Sequence, residues 1–173
     1  MMGDAKDIYS EIGRLLSSMA PPEAAVMVFM GFQYVGHDQG GPHWIREDGS
    51  IGRFTRELRM PLNDVDRIKE LMWELGTKEP FVSDEPFTHY KIELTHDMKF
   101  SIDFAHIPEE QSWPNVFMKP VGSLTKDEAK ALFVPHDHWM IRKRLLEGEI
   151  GKDEFDAEIT RLEGAFDTRR AAQ

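Results

Sequence analysis

Residues 88–105 read THYKIELTHDMKFSIDFA, and this stretch decides the fold of the chain. Apolar and polar residues alternate on both sides of its centre, as expected for two strands that each bury one face. Both apolar sets fall on one face only if the loop holds an odd number of residues, so we predict a three-residue turn at His96, Asp97 and Met98. The predicted facing pairs are Leu94 with Phe100, Ile92 with Ile102, Tyr90 with Phe104, Lys91 with Asp103, and Glu93 with Ser101. The hairpin then has one core face and one polar face.

The rest of the sheet is predicted from residues 25–35, AVMVFMGFQYV, which are rich in β-branched and aromatic residues. Their first half is apolar on both faces, which favours a central strand. Residues 36–41, GHDQGG, are interpreted as a turn, and two shorter strands are expected at residues 43–46 and 51–56 around the turn pair Asp48-Gly49. We therefore expect an antiparallel sheet of four to five strands.

Two helices are expected to cover this sheet. The first carries an apolar stripe at helical spacing, formed by Ile8, Ile12, Leu15, Leu16 and Met19. The second is predicted to begin at Asn63 as N-cap and to end near Gly76. Sheet and helices in separate runs of the chain indicate an α+β fold.

The C-terminal part is predicted to be helical. Thr125 and Glu128 have the spacing of a capping box, Pro135 suits the start of a further helix, and residues 148–151 suit a turn between two helices. The final helix carries Phe155, Ile159, Leu162 and Phe166 on one stripe. We expect an α+β domain over residues 1–134 and a C-terminal helical hairpin over residues 135–173.

Composition restricts the class of protein. The 173 residues have a net charge of −10, no cysteine, and no apolar run near the roughly 20 residues of a membrane span. The N-terminus lacks the pattern of a secretory signal. We therefore expect a soluble, cytoplasmic protein that binds neither nucleic acid nor membrane, and cysteine-based catalysis is excluded.

The negative charge is concentrated in residues 64–110, which contain twelve acidic and five basic residues. Such a segment attracts a basic partner, and the alternative interpretation is that the acidity only keeps the protein soluble. The predicted contact set consists of Glu93, Asp103, Glu109, Glu110 and Trp113. Trp113 is included because it lies in a proline-rich loop beside two glutamates, whereas Trp73 lies near an apolar stripe and is interpreted as a core residue.

Motifs for catalysis are few. His136 and His138 form the densest histidine group, but a spacing of two points side chains apart on a helix. Lys91 is expected to pair with Asp103 across the hairpin, which makes Asp103 an ordinary surface carboxylate. We expect no enzyme activity, no cofactor, and neither catalytic nor metal-binding residues.

Four strings, taken in order, resemble the YezG-like family of bacterial immunity proteins: DIYSEIGRLL, AAVMVFMGF, PLNDVDRIKELMWEL and KFSIDF. The resemblance covers residues 7–144, while the loop of residues 106–123 and the extension after Leu145 are longer than the family's ending. It implies a small acidic cytoplasmic protein that binds and neutralises a cognate secreted toxin domain, often a nuclease with a basic groove. It implies binding without catalysis.

The resemblance and the charge together predict an immunity protein, or antitoxin, whose partner is a basic nuclease toxin. The sequence also allows two alternative functions. One is a small metal-dependent hydrolase that uses His136 and His138. The other is a non-enzymatic adaptor that forms a homodimer through its C-terminal helices.

Overall fold

The structure, a computed structural model, describes residues 3–78 and 84–171, except the side chains of residues 166–171. Among the predicted core residues, the side chain of Phe166 therefore lies outside the described part. The chain divides after His106 into two compact units, here called the sheet unit and the helical unit. Together they confirm the predicted α+β fold.

In its described residues, 3–78 and 84–106, the sheet unit contains one five-stranded antiparallel sheet and two helices. Its elements are α1 (Ala5–Met19), β1 (Val26–Tyr34), β2 (His37–Ile45), β3 (Ile51–Gly52), α2 (Leu62–Gly76), β4 (His89–Thr95) and β5 (Phe100–Ala105). The strand order is β3-β2-β1-β4-β5, with β1 in the centre. The predicted strand count and the central position of residues 25–35 are confirmed.

The β4–β5 hairpin has the predicted register in all five facing pairs. The Met98 N–H donates to the Thr95 carbonyl at 2.9 Å, and the Thr95 N–H donates to the Lys99 carbonyl at 3.0 Å. Met98 has a φ of +67°, so the loop is a turn closed by a left-handed residue. This three-residue loop keeps Tyr90, Ile92 and Leu94 in the core.

The predicted turn over residues 36–41 is wrong, because only Val35 and Gly36 form it and β2 begins at His37. Gly40 of this segment instead leaves room for a side chain from β4 to approach the sheet backbone. Gly31 pairs with Gly40 across β1 and β2, and a Cβ at Gly31 would collide with the phenol of Tyr90 from β4. Glycine in a strand often marks such a close approach. The strand predicted at residues 51–56 is also shorter than expected.

Helices α1 and α2 cover one face of the sheet, and their apolar stripes form its core with residues of β1, β2 and β4. The α1 helix starts with a capping box between Asp4 and Asp7. The α2 helix has Pro61 as its N-cap, so the prediction of Asn63 is wrong. The Pro61 carbonyl accepts from the Val65 N–H at 3.0 Å, which places Asn63 inside the first turn.

Over residues 107–171, the helical unit contains three helices and two short 3-10 turns. The turns are Glu109–Gln111 and Val121–Ser123, and the helices are α3 (Lys126–Ala131), α4 (His136–Leu146) and α5 (Lys152–Ala171). The Thr125–Glu128 capping box is confirmed, and α4 and α5 form the predicted hairpin around Gly148.

The unit boundary lies after His106 rather than at the predicted position between residues 134 and 135. The physical reason is a small core that joins the long loop and α3 to α4. Its buried members are Val116, Val121, Leu124, Ala129, Val134 and Trp139. The loop of residues 107–124 therefore packs with the C-terminal helices.

Candidate functional site

The sheet has an outer face, defined as the face opposite α1 and α2. The alternation of β1 places its central row there: Val26, Val28, Met30, Phe32 and Tyr34. Val28 is buried and the others are half-buried. Polar side chains of β2, β4 and β5 flank this row, so the outer face has an apolar centre and charged margins.

Glu93 and Asp103 lie on the outer face, as predicted from the hairpin register. The expected ion pair between Lys91 and Asp103 is wrong, because the Lys91 ammonium binds Glu93 at 2.8 Å. Lys91 and Glu93 are two positions apart on one strand and therefore point to the same side. Within the described part of the chain, exposed Asp103 has no ion pair.

His43 was missed as a residue of this face, because the sequence placed it in a short strand of uncertain burial. It lies opposite Val28, whose other neighbour in the sheet is Glu93. Burial lowers the pKa of His43, and the charges of Arg53 and Lys91 lower it further. Only the register of β1 with β2 could have identified it.

All five basic residues of the segment 64–110 form ion pairs inside the sheet unit. The pairs are Arg67 with Glu11 and Glu70, Lys69 with Asp38 and Asp66, Lys78 with Glu74, Lys91 with Glu93, and Lys99 with Asp97. Among the described residues, five carboxylates of this segment form no ion pair: Asp64, Asp84, Glu85, Asp103 and Glu110. This part of the segment therefore keeps an excess of negative charge.

Glu109 and Glu110 belong to the helical unit, where they form a 3-10 turn with Gln111. Arg142 of α4 holds this turn, since its Nε donates to the Glu110 carbonyl at 2.9 Å. The guanidinium is partly buried, and burial lowers its pKa. The sequence contained no local signal for this contact, because residues 110 and 142 are far apart in the chain.

Trp113 is half-buried rather than freely exposed. Its ring packs against the small core of the helical unit, and the Arg142 guanidinium lies 5.2 Å from its centroid. His138 lies 5.5 Å from the same ring. Trp73, expected in the core, is 37% exposed and donates its indole N–H to Asp38 at 2.7 Å. The prediction for Trp73 is wrong, because this hydrogen bond holds the ring at the surface.

His136 and His138 do not face a common point. His136 lies 5.6 Å from the ring of Trp139, whereas His138 lies against Trp113 and close to Arg142. Burial and the Arg142 charge lower the pKa of His138. In residues 3–78 and 84–171, no three side chains of histidine, aspartate or glutamate are grouped as metal ligands would be.

A comparison with protein-family models and with curated proteins finds no match to this chain. Among the helices of the described ranges, none combines the length and the apolar character needed to cross a membrane.

Proposed function

We propose that the protein is an immunity protein that binds and neutralises a cognate secreted toxin domain, and that this domain is a basic nuclease. The observation that carries the proposal is the charge arrangement over residues 64–110. This segment contains twelve acidic and five basic residues, and each of the five basic residues forms an ion pair within the protein. In this proposal the protein acts by binding and performs no reaction.

Electrostatics would make such binding fast. A nuclease needs a positively charged groove for its substrate, and opposite charge on a partner raises the association rate by up to several orders of magnitude at low salt. Asp103 is the best placed carboxylate of the sheet unit, because it is exposed and lacks an ion pair among the described residues. Glu109 and Glu110 supply charge on the helical unit.

The apolar centre of the outer face suits the same role. Protein interfaces commonly combine an apolar centre with a polar rim. Half-buried Met30 and Phe32 lie in the central row, and Lys91, Glu93 and Asp103 lie at its margin. A partner that covered this row would meet the carboxylates at the rim, where charge sets association rate and specificity.

The direct experiment is co-expression with the product of the neighbouring gene. We expect the protein to restore growth of cells that produce this toxin and to elute with it as one complex from a sizing column. Growth arrest despite stable expression, with no complex formed, would refute the proposal.

Charge reversal should locate the binding surface. We expect Glu93→Lys/Asp103→Lys, or Glu109→Lys/Glu110→Lys, to slow association with the toxin about tenfold at low salt, with a smaller difference in about 0.5 M NaCl. Surface plasmon resonance measures both rates. Testing each pair separately shows which unit carries the contact.

The matched control is Glu47→Lys/Glu57→Lys, which changes net charge equally at two exposed acids outside residues 64–110. Equal slowing by the control and by both test pairs would mean that only net charge matters. Unchanged rates in both test pairs would exclude these residues as contacts.

A further inference from the structure

Phe133 combines two unusual properties. Its side chain is 85% exposed, and its backbone has a φ of +59°, a conformation that a bulky residue rarely adopts. It occupies the position after the C-cap of α3. The Phe133 N–H donates to the Lys130 carbonyl at 3.1 Å, and the Val134 N–H donates to the Ala129 carbonyl at 2.9 Å. These two bonds form a Schellman motif, in which glycine is the usual residue.

The exposed ring gains little from burial, and a glycine could form the same Schellman motif without backbone strain. Strained residues cluster at functional sites. This makes the surroundings of Phe133 a candidate site, provided that a second feature points to a ligand.

A cleft of about 620 Å³ adjoins Phe133 between α3 and α4. Buried Ala129, Val134 and Trp139 contribute to its lining. The Trp139 indole N–H donates to the Leu124 carbonyl at 3.0 Å, which holds the ring in one orientation. The cleft is thus a preformed recess with an apolar floor and an exposed aromatic ring at its edge, suited to one apolar side chain.

The charge beside this recess is positive, in a chain whose net charge is −10. Lys126 and Lys130 line it and are exposed one helical turn apart. Neither ammonium lies within 4.0 Å of a carboxylate of the described residues, whereas nearby Lys119 binds Glu128 at 3.1 Å. Of the described carboxylates, only Asp127 lines the recess.

We propose that this recess docks an acidic segment of a partner protein, with one apolar side chain inserted beside Phe133 and carboxylates bound by Lys126 and Lys130. The occupant follows from charge complementarity, since neither lysine pairs with a carboxylate among the described residues. A concave recess suits a single inserted side chain better than it suits a flat membrane surface. The proposal does not depend on the acidic contact set described above.

Peptide binding tests the proposal on the full chain. The probes are fluorescein-labelled peptides of about eight residues, each with a central tryptophan, leucine or phenylalanine flanked by aspartates. We expect at least one to bind with a Kd below about 1 mM by fluorescence anisotropy. The counterpart with lysines in place of the aspartates, and the one with serine at the centre, should bind at least about tenfold more weakly.

Two variants assign the binding to this recess. Lys126→Glu/Lys130→Glu should weaken binding of the acidic peptide about tenfold, and Phe133→Gly should weaken it by a similar factor. The control, Val35→Gly, removes a side chain that is 98% exposed on the sheet unit and should leave binding unchanged.

The Phe133→Gly variant also separates binding from a structural role. Because glycine adopts a positive φ without strain, we expect its melting temperature to rise by about 2–4 °C while peptide affinity falls. A lower melting temperature would show that the ring stabilises the fold. That result would overturn the proposal, as would failure of every acidic peptide to bind, equal affinity in all variants, or binding to phosphatidylserine vesicles in place of peptides.

Discussion

Replacing Gly122 by alanine is expected to destabilise the helical unit by about 3 kcal/mol. A Cβ at this position would lie 2.5 Å from the carbonyl oxygen of Arg142 and 2.9 Å from Gln111 Oε1. The first of these atoms belongs to the backbone of α4 and cannot rotate away. The 3-10 turn Val121–Ser123 would have to separate from the helix.

That separation would also break a buried hydrogen-bond bridge. Gln111 is 2% exposed, and its Oε1 accepts from the Gly122 N–H at 2.9 Å while its Nε2 donates to the Arg142 carbonyl at 2.9 Å. A buried polar group that loses its partner costs about 1–3 kcal/mol. The steric and polar penalties therefore act on the same contact.

Hydrogen exchange measures the effect within each unit. In the Gly122→Ala variant, amides of α4 should exchange faster, whereas those of β4 in the sheet unit should not change. The matched control is Gly164→Ala in α5, where a Cβ meets nothing within 4 Å and helix propensity predicts a gain of about 1 kcal/mol. If Gly122→Ala unfolded at the same urea concentration as the original chain, the packing argument would fail.

Lowering the pH from 7 to 4 is expected to destabilise the sheet unit by about 3 kcal/mol through His89 alone. This side chain has no exposed surface, and burial lowers its pKa to about 4, with a smaller contribution from His106. Its Nδ1 lies 2.9 Å from the Thr88 hydroxyl, and its Nε2 has no hydrogen-bond partner among the described residues. Aromatic rings of Phe32 and Tyr34 lie beside it.

The sign follows from proton uptake. Between pH 4 and about 6.5 the unfolded chain protonates His89 and the folded chain does not, so the unfolded state binds more protons. Stability contributed by neutral His89 is therefore present above this window and is lost as the pH falls through it. Titrating carboxylates add their own pH dependence, which makes a comparison with a variant necessary.

The variant is His89→Phe, and the measurement is urea unfolding at pH 7 and at pH 4. We expect the original chain to lose about 3 kcal/mol more between these pH values than His89→Phe loses. His96→Gln, at an exposed histidine of the β4–β5 loop, serves as the control and should behave like the original chain. Equal pH dependence in the original chain and His89→Phe would show that folding does not lower the pKa of His89, which would contradict the prediction.

The predictions that were confirmed rest on short-range patterns. Alternation in residues 88–105 set the register of the β4–β5 hairpin, because a shift by one residue would expose the whole apolar set. The capping box at Thr125 depends on residues three apart. The positions of Glu93 and Asp103 on the outer face follow from the same alternation.

The predictions that were wrong needed a distant partner. The glycines of residues 36–41 looked like a turn, but Gly40 pairs with Gly31 beneath the ring of Tyr90, which comes much later in the chain. The boundary between the two units lies after His106 and not after residue 134, because residues 107–124 pack on α4. Lys91 pairs with Glu93 and not with Asp103. Both carboxylates lie next to Lys91 in the sheet, so only the side-chain geometry shows which of them it binds.

By itself, the sequence determined the α+β class, the polar face of the hairpin and the excess of acids, because each depends on residue type and local spacing. Tertiary structure alone decided which acids are paired, how Arg142 holds the Glu110 turn, and that Phe133 is exposed beside a recess. These features join residues that are separate in the chain, and their energies depend on distances that no local pattern encodes.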